Sequence, residues 1–159
     1  MVDNWLQRGE VLLGMDRQYR LKKSHLLIVG LGGVGSWAAE MLCRAGVGAM
    51  TIVDADVVDV TNINRQMPAL VTTIGKPKCE VVAERLRAIN PEIELIVKQQ
   101  YVDSGNIPAL FDEAEYDFVV DAIDTLEPKG ALIRECWKRE IKIISSMGAG
   151  AKSDITQVR

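Results

Sequence analysis

Four glycines, a set of acids at strand ends and two separated cations define the chemistry open to this sequence. Gly30, Gly32, Gly33 and Gly35 lie in GLGGVG, directly after the apolar run HLLIV and ahead of a helical pattern. A glycine turn in that position allows a tight bend, brings backbone N–H groups close to a phosphate and lets the following helix pack closely; Gly33 adds room. The motif alone serves NAD, FAD and ATP users alike. Asp54 closes the next apolar run, about 20 residues after the glycines, where a carboxylate accepts hydrogen bonds from both hydroxyls of a ribose. A cap or turn aspartate is the competing reading. Asp56 and Asp59, in DADVVD, read equally well as loop acids, and Asp56 is the better nucleotide contact of the two.

The segment VTNINRQ at 60–66 is not needed for hydride transfer. Together with Lys78 in GKPK it supplies a wall of donors: Asn62, Arg65, Gln66 and Lys78. Arg65 can fork two phosphate oxygens, and Lys78 can place a point charge on a triphosphate, neutralising charge that develops as pyrophosphate leaves. Either cation alone would read as a solvated surface charge; beside GLGGVG the pair reads as phosphate chemistry. In VVDAID, Asp121 and Asp124 fall at the end of a further apolar run, where doubly wound sheets bind ligands. A magnesium ion bridging phosphates takes one or two carboxylates and waters. Asp124, nearer the loop, is the expected metal ligand, with Asp121 fixing the loop. Arg8 is the last candidate, as an N-terminal arginine reaching a γ-phosphate across a dimer; a solvated helix arginine is the alternative.

The elements that must position these groups are legible in the pattern. Apolar runs at 25–30, 50–54, 93–97, 118–124 and 141–146 read as buried parallel strands. VGSWAAEMLCRAG, GKPKCEVVAERLRAIN, SGNIPALFDEA and LEPKGALIRECWKRE, lying between or beside them, read as helices. Alternation of the two predicts an α/β, doubly wound, mostly parallel, Rossmann-like sheet with right-handed crossovers. Residues 3–23 predict one amphipathic helical segment around Trp5, Leu6, Val11, Leu12 and Leu13, either a lid or dimer contact or packing on the sheet edge. The expected division is a helical segment over 1–24 and a nucleotide-binding domain over 25–159. SDITQVR at 153–159 reads as a strand or its approach, cut without a turn, so the sequence is expected to be the N-terminal part of a longer protein.

Composition narrows the classes. The 159 residues are 48% hydrophobic and 26% charged, the balance of one globular domain with a sizeable core. Cys43, Cys79 and Cys136 are far apart and His25 is the single histidine, so no disulfide or metal framework is visible. Cys43 and Cys136 fall in helical stretches and read as buried and inert. The first twenty residues hold no apolar h-region and no run approaches the ~18 residues of a membrane span, which predicts a cytoplasmic protein. A net charge of −3 neither supports nor excludes an RNA partner.

GLGGVGSWAAE, TIVDADVVDVTNINRQ, GKPKCEVVAERLRAINP and VVDAIDTLEPK, in that order, resemble the ThiF-like, ubiquitin-activating-type superfamily across almost the whole sequence. The resemblance implies ATP and Mg2+ as cofactors and adenylation of a carboxylate. It implies that the glycines and Asp54 hold ATP, that Asn62, Arg65 and Lys78 touch phosphates, that Asp124 binds magnesium, and that Arg8 matches an arginine donated by the partner subunit of a homodimer. Within the superfamily, GVGSWAAE, VTNINRQ, DAIDTLEPK and SMGAGAKSDITQV look most like the branch that cyclises threonylcarbamoyladenosine in tRNA with loss of water, which implies a tRNA partner. The alternative is an activator of a sulfur-carrier or ubiquitin-like protein, which shares the ATP machinery but adenylates a C-terminal Gly-Gly. A scaffold without catalysis would not need Arg65, Lys78 and Asp124 together.

Overall fold

A strand buried on both faces is largely apolar, and the three central runs are so apart from His25, Thr51 and Asp121. In the computed structural model, which describes residues 5–147, β1 (His25–Val29), β2 (Ala49–Val53), β3 (Glu94–Lys98), β4 (Phe118–Asp121) and β5 (Lys142–Ser145) form one sheet. Its order is β3-β2-β1-β4-β5 and every pairing is parallel. The edge strands β3 and β5 alternate more exposed with more buried residues, as strands covered on one side do. All five predicted strands form. The strand expected over 153–159 lies outside the described residues.

Helices α3 (Gly35–Arg44) and α4 (Lys78–Ile89) cover one face of the sheet, and α5 (Ile107–Asp112) and α6 (Leu126–Lys138) the other. Alternation along β1 divides its side chains between the two layers. Leu26 and Ile28 join Ala39, Cys43, Val82 and Leu86, whereas Leu27 and Val29 join Ile107, Leu110, Phe111 and Leu132. Cys43 and Cys136 are fully buried in these layers, and burial pushes both thiols up to about 11, far from a reactive thiolate.

The N-terminal segment departs from the sequence reading. It is two helices, α1 (Gln7–Leu13) and α2 (Met15–Lys23), broken at Gly14, whose φ of 86° and ψ of 151° suit glycine and no residue with a Cβ. The expected apolar stripe is therefore split. Val11 and Leu12 are 84% and 82% exposed, while Leu6 abuts Gly46 and Leu21 packs on the core. Gln18, buried, donates from Nε2 to the Ala45 carbonyl at 2.7 Å and so ties α2 to the end of α3.

At the N-terminal end of β1, His25 is packed edge-on to Tyr116 at 4.9 Å, with its Nε2 3.0 Å from Thr51 Oγ1. Burial holds the imidazole below its ordinary value of 6.5, against the opposing pull of Asp117 and Glu94. The unfolded chain therefore takes up a proton first as pH falls, so stability decreases below 6.5 until the folded pKa is passed. Urea unfolding midpoints of the wild type are expected to fall as pH is lowered through roughly 6.5 to 5. His25→Asn should flatten that part of the profile; an unchanged slope would show that other groups govern it.

Candidate functional site

The chain moves outward from β1 to β2 and β3, then crosses back to place β4 on the other side of β1. Strand order thus reverses between β1 and β4, and a doubly wound sheet opens a crevice at the carboxyl ends of the strands there. Val29 is in register with Val53 on one side and with Asp121 on the other, so the glycine turn, Asp54 and the loop after Asp121 emerge at one level.

The turn is set by close backbone approach. Gly30 has φ +91°, its N–H donates to the Val53 carbonyl at 2.9 Å, and a Cβ there would stand 2.7 Å from the Ala122 carbonyl oxygen. A Cβ on Gly35, the first residue of α3, would fall 1.7 Å from the Gly30 carbonyl oxygen, a distance no side chain tolerates. Gly32 and Gly33 have more space: a Cβ on Gly32 would lie 3.6 Å from Gln66 Nε2, and one on Gly33 3.6 Å from Arg65 Cγ. The VTNINRQ segment therefore leans over the turn.

Asp54 is bound into the same turn. Its Oδ2 accepts from the Leu31 N–H at 2.6 Å and its Oδ1 from the Asp56 N–H at 2.8 Å. Burial raises its pKa, and these two N–H groups pull it back. Asp56 is exposed and accepts from Lys78 Nζ at 2.7 Å, while its own carbonyl accepts the Lys78 N–H at 2.9 Å. Lys78 opens α4 and its side chain is only 6% exposed, so a cation is held beside the turn with, among the described residues, a single carboxylate partner.

A 3-10 turn over Val60–Asn62 carries the next donors. Asp59 caps it, accepting from the Thr61 N–H and hydroxyl, and Asn62 Oδ1 returns a bond from the Asp59 N–H at 3.1 Å. The oxygen of Asn62 is thus committed to the turn, leaving its amide nitrogen as the donor. Arg65 is exposed, with Nη1 resting on the Thr61 carbonyl and on Asn64 Oδ1. Gln66 Oε1 is buried without a donor among the described residues.

The last loop separates its two acids. Asp121 is fully buried: Oδ1 accepts from the Ile123 N–H at 3.0 Å, and Oδ2 accepts from Lys129 Nζ at 2.7 Å and from Ser145 Oγ at 2.5 Å. Lys129 also donates to the Ser146 carbonyl at 2.9 Å. Asp121 fixes the loop, as the sequence suggested, and is consumed in doing so. Asp124, three residues on, is exposed. Among the described residues no group of three or more His, Cys, Asp and Glu could hold a metal ion. Arg8 lies on α1, exposed, and α1 and α2 lead to the opposite end of β1 from the turn. A cavity of about 610 Å³ lined by residues from Cys136 to Lys142 lies at the opposite end of the sheet from the turn.

Lys129 is the residue whose part the sequence reading left unassigned. Its only signal was the acid eight residues earlier in VVDAIDTLEPK, a spacing that says nothing until β4 and α6 pack together.

An all-parallel sheet with a glycine turn at its switch point defines a Rossmann-like nucleotide-binding fold. The chain belongs to the ThiF family, whose model matches residues 6–159. The tRNA threonylcarbamoyladenosine dehydratase of Escherichia coli strain K12 is 44% identical over 160 residues, covering 99% of this chain and 59% of that protein. The crystal structure of E. coli tRNA N6-threonylcarbamoyladenosine dehydratase in complex with ATP superposes with a TM-score of 0.90, over 98% of this chain and 65% of that one. The molybdopterin-synthase adenylyltransferase of E. coli strain K12 is 36% identical over 141 residues, covering 89% of this chain and 56% of that protein. The chain spans about three fifths of the length of the dehydratases it matches, 59% to 61%. No helix among the described residues is long and apolar enough to cross a membrane.

Removing one partner from a buried ion pair strands the other charge. Lys129→Met is expected to lower unfolding stability by roughly 3–5 kcal/mol, measured by denaturant titration. Lys129→Met combined with Asp121→Asn should recover part of the loss. A single-variant cost under about 1 kcal/mol, the level of an exposed pair, would show that Asp121 does not depend on Lys129.

Proposed function

We propose that this chain is the ATP-binding, adenylating part of an enzyme that activates the carboxylate of threonylcarbamoyladenosine in tRNA, closing it to a ring with net loss of water. The observation that carries the reading is the meeting of the glycine turn, Asp54 and the Asp56-held Lys78 at one level of the sheet. The 44% identity to a dehydratase of that name, against 36% to an adenylyltransferase, supports the tRNA substrate over a carrier protein.

In this reading Asp54 is the acceptor for the ribose hydroxyls, while Gly30, Gly32, Gly33 and Gly35 keep side chains away from the triphosphate. Asp56 holds the Lys78 ammonium until phosphate oxygens compete for it. Lys78, Arg65 and the amide nitrogen of Asn62 surround the α-phosphorus with positive charge and donors, the arrangement that stabilises a departing pyrophosphate. Gln66 presents Nε2 to the turn, 3.6 Å from where a Cβ on Gly32 would stand, and so suits a nucleotide oxygen as a donor. A magnesium ion on Asp124 would neutralise charge on the β- and γ-phosphates. The exposed carboxylate of Asp124, free of the network that occupies Asp121, fits such an ion. The carboxylate of the substrate attacks the α-phosphorus and pyrophosphate leaves. An internal nucleophile of the modified adenosine then displaces AMP, which carries away one carboxylate oxygen. Arg8, donated across a homodimer, would complete the phosphate contacts of the neighbouring subunit, in the cytoplasm where tRNA is modified.

The substrate is tested with the full-length protein, ATP and magnesium, offering threonylcarbamoyladenosine-bearing tRNA or a Gly-Gly-ended carrier protein. AMP release with a cyclised nucleoside is expected; acyl-adenylate on the carrier alone would replace this reading with the protein-activating one. Asp124→Ala should cut AMP formation by roughly 100-fold or more, about 2.7 kcal/mol in the barrier, with unfolding unchanged; undiminished turnover would remove Asp124 from the metal site. Mixing inactive Arg8→Ala with inactive Asp124→Ala subunits should restore part of the activity, and no recovery in confirmed mixed dimers would place Arg8 outside the site.

A further inference from the structure

Charge is distributed unevenly over the molecule. The whole sequence carries −3, yet α2 holds Arg17, Arg20, Lys22 and Lys23 against one acid, Asp16. The helix buries its other side, since Gln18 and Leu21 pack inward, and all four cations with Tyr19 are exposed. Lys22 is paired with Glu92 at 3.6 Å, an exposed contact of little strength. Arg17, Arg20 and Lys23 make no ion pair among the described residues, and Lys23 lies over the Tyr19 ring at 5.9 Å. Tyr19 is 63% exposed. An exposed aromatic ring beside unpaired cations gives a base a surface to stack on and phosphates a counter-charge.

We propose that this face of α2, formed by Arg17, Tyr19, Arg20 and Lys23, is a docking surface for the phosphate backbone of the RNA substrate. The proposal rests on the tRNA reading of the site. Charge complementarity selects the occupant: an otherwise acidic domain gains nothing from a concentrated basic face unless its partner is a polyanion. Position agrees with that partner. α2 ends at Lys23, two residues before the first of β1, whereas the glycine turn leaves its last. A five-residue strand is ~17 Å long, a span that an RNA with one nucleoside at the turn covers easily. Phosphate contacts of this kind orient the substrate and carry no sequence information, leaving selection of the modified base to the site itself.

The test uses the full-length protein and threonylcarbamoyladenosine-bearing tRNA. Arg17→Glu, Arg20→Glu and Lys23→Glu together should raise KM for the tRNA at least tenfold at about 0.1 M salt, with KM for ATP and the unfolding midpoint unchanged. The glutamine versions of the same three positions should raise it less. The salt dependence of tRNA binding should lose a log–log slope of roughly 2 to 3, at 0.7–0.9 per phosphate released. A control set with the same charge change on α6 and β5, Arg134→Glu, Lys138→Glu and Lys142→Glu, should leave the tRNA KM within twofold. An unchanged tRNA KM in the α2 variant, or an equal rise in the control, would overturn the proposal. So would wild-type binding to phosphatidylserine vesicles that is lost in the α2 variant while tRNA KM stays constant, which would assign the helix and the adjacent exposed Val11, Leu12 and Met15 to a lipid surface. A wild-type protein that adenylates a carrier protein and leaves tRNA untouched would instead overturn the tRNA reading itself, and this proposal with it.

Discussion

Backbone-to-backbone proximity at the glycine turn is the constraint on which the rest of the site depends. Gly30 is pressed on the Ala122 carbonyl, and Gly35 on the carbonyl of Gly30, so β1, the start of α3 and the loop after β4 meet with no space for a Cβ between them. That contact fixes the entrance of α3, brings the loop carrying Asp124 alongside the turn, and leaves the Leu31 N–H where Asp54 can accept it. The fully buried Asp121, held by Lys129 and Ser145, fastens the same loop from below. Two locks, one steric and one ionic, thus hold the opening between β1 and β4.

Much of this was legible because its signals are local. Buried parallel strands are continuous apolar runs, and HLLIV, MTIV and FVV could be little else when separated by helical patterns. The glycines and Asp54 are spaced by the geometry of one strand–helix–strand unit, and that unit is found. What was not legible has several causes. Gly14 divides the N-terminal segment because its φ is positive, a property a lone glycine in an apolar pattern does not announce. The pairing of Lys78 with Asp56 and of Lys129 with Asp121 depends on how helices dock, and sequence separation does not encode it. Asn62 similarly spends its oxygen on an Asp59 cap, a local bond that the reading of VTNINRQ as a donor wall passed over.

The four acids around the turn have different surroundings. Asp54 is partly buried and backbone-bound, suited to neutral hydroxyl donors; Asp56 holds a cation; Asp121 is structural; Asp124 is open. No two of them do the same work. Positive charge is arranged with similar economy, Lys78 buried at the head of α4 and Arg65 exposed across the turn. Relatives named tRNA threonylcarbamoyladenosine dehydratase and molybdopterin-synthase adenylyltransferase share this part of the chain at 44% and 36% identity, so residues common to both cannot by themselves choose the acceptor.

Transfer of AMP to a carboxylate is the central chemical claim, and oxygen tracing tests it most directly. The full-length protein would be given ATP, magnesium and tRNA whose threonylcarbamoyl carboxylate carries oxygen-18, and the nucleotide products analysed by mass spectrometry. Adenylation predicts oxygen-18 in AMP, since the carboxylate oxygen that attacks the α-phosphorus leaves with it. Label in inorganic phosphate beside ADP, or AMP free of label, would contradict it.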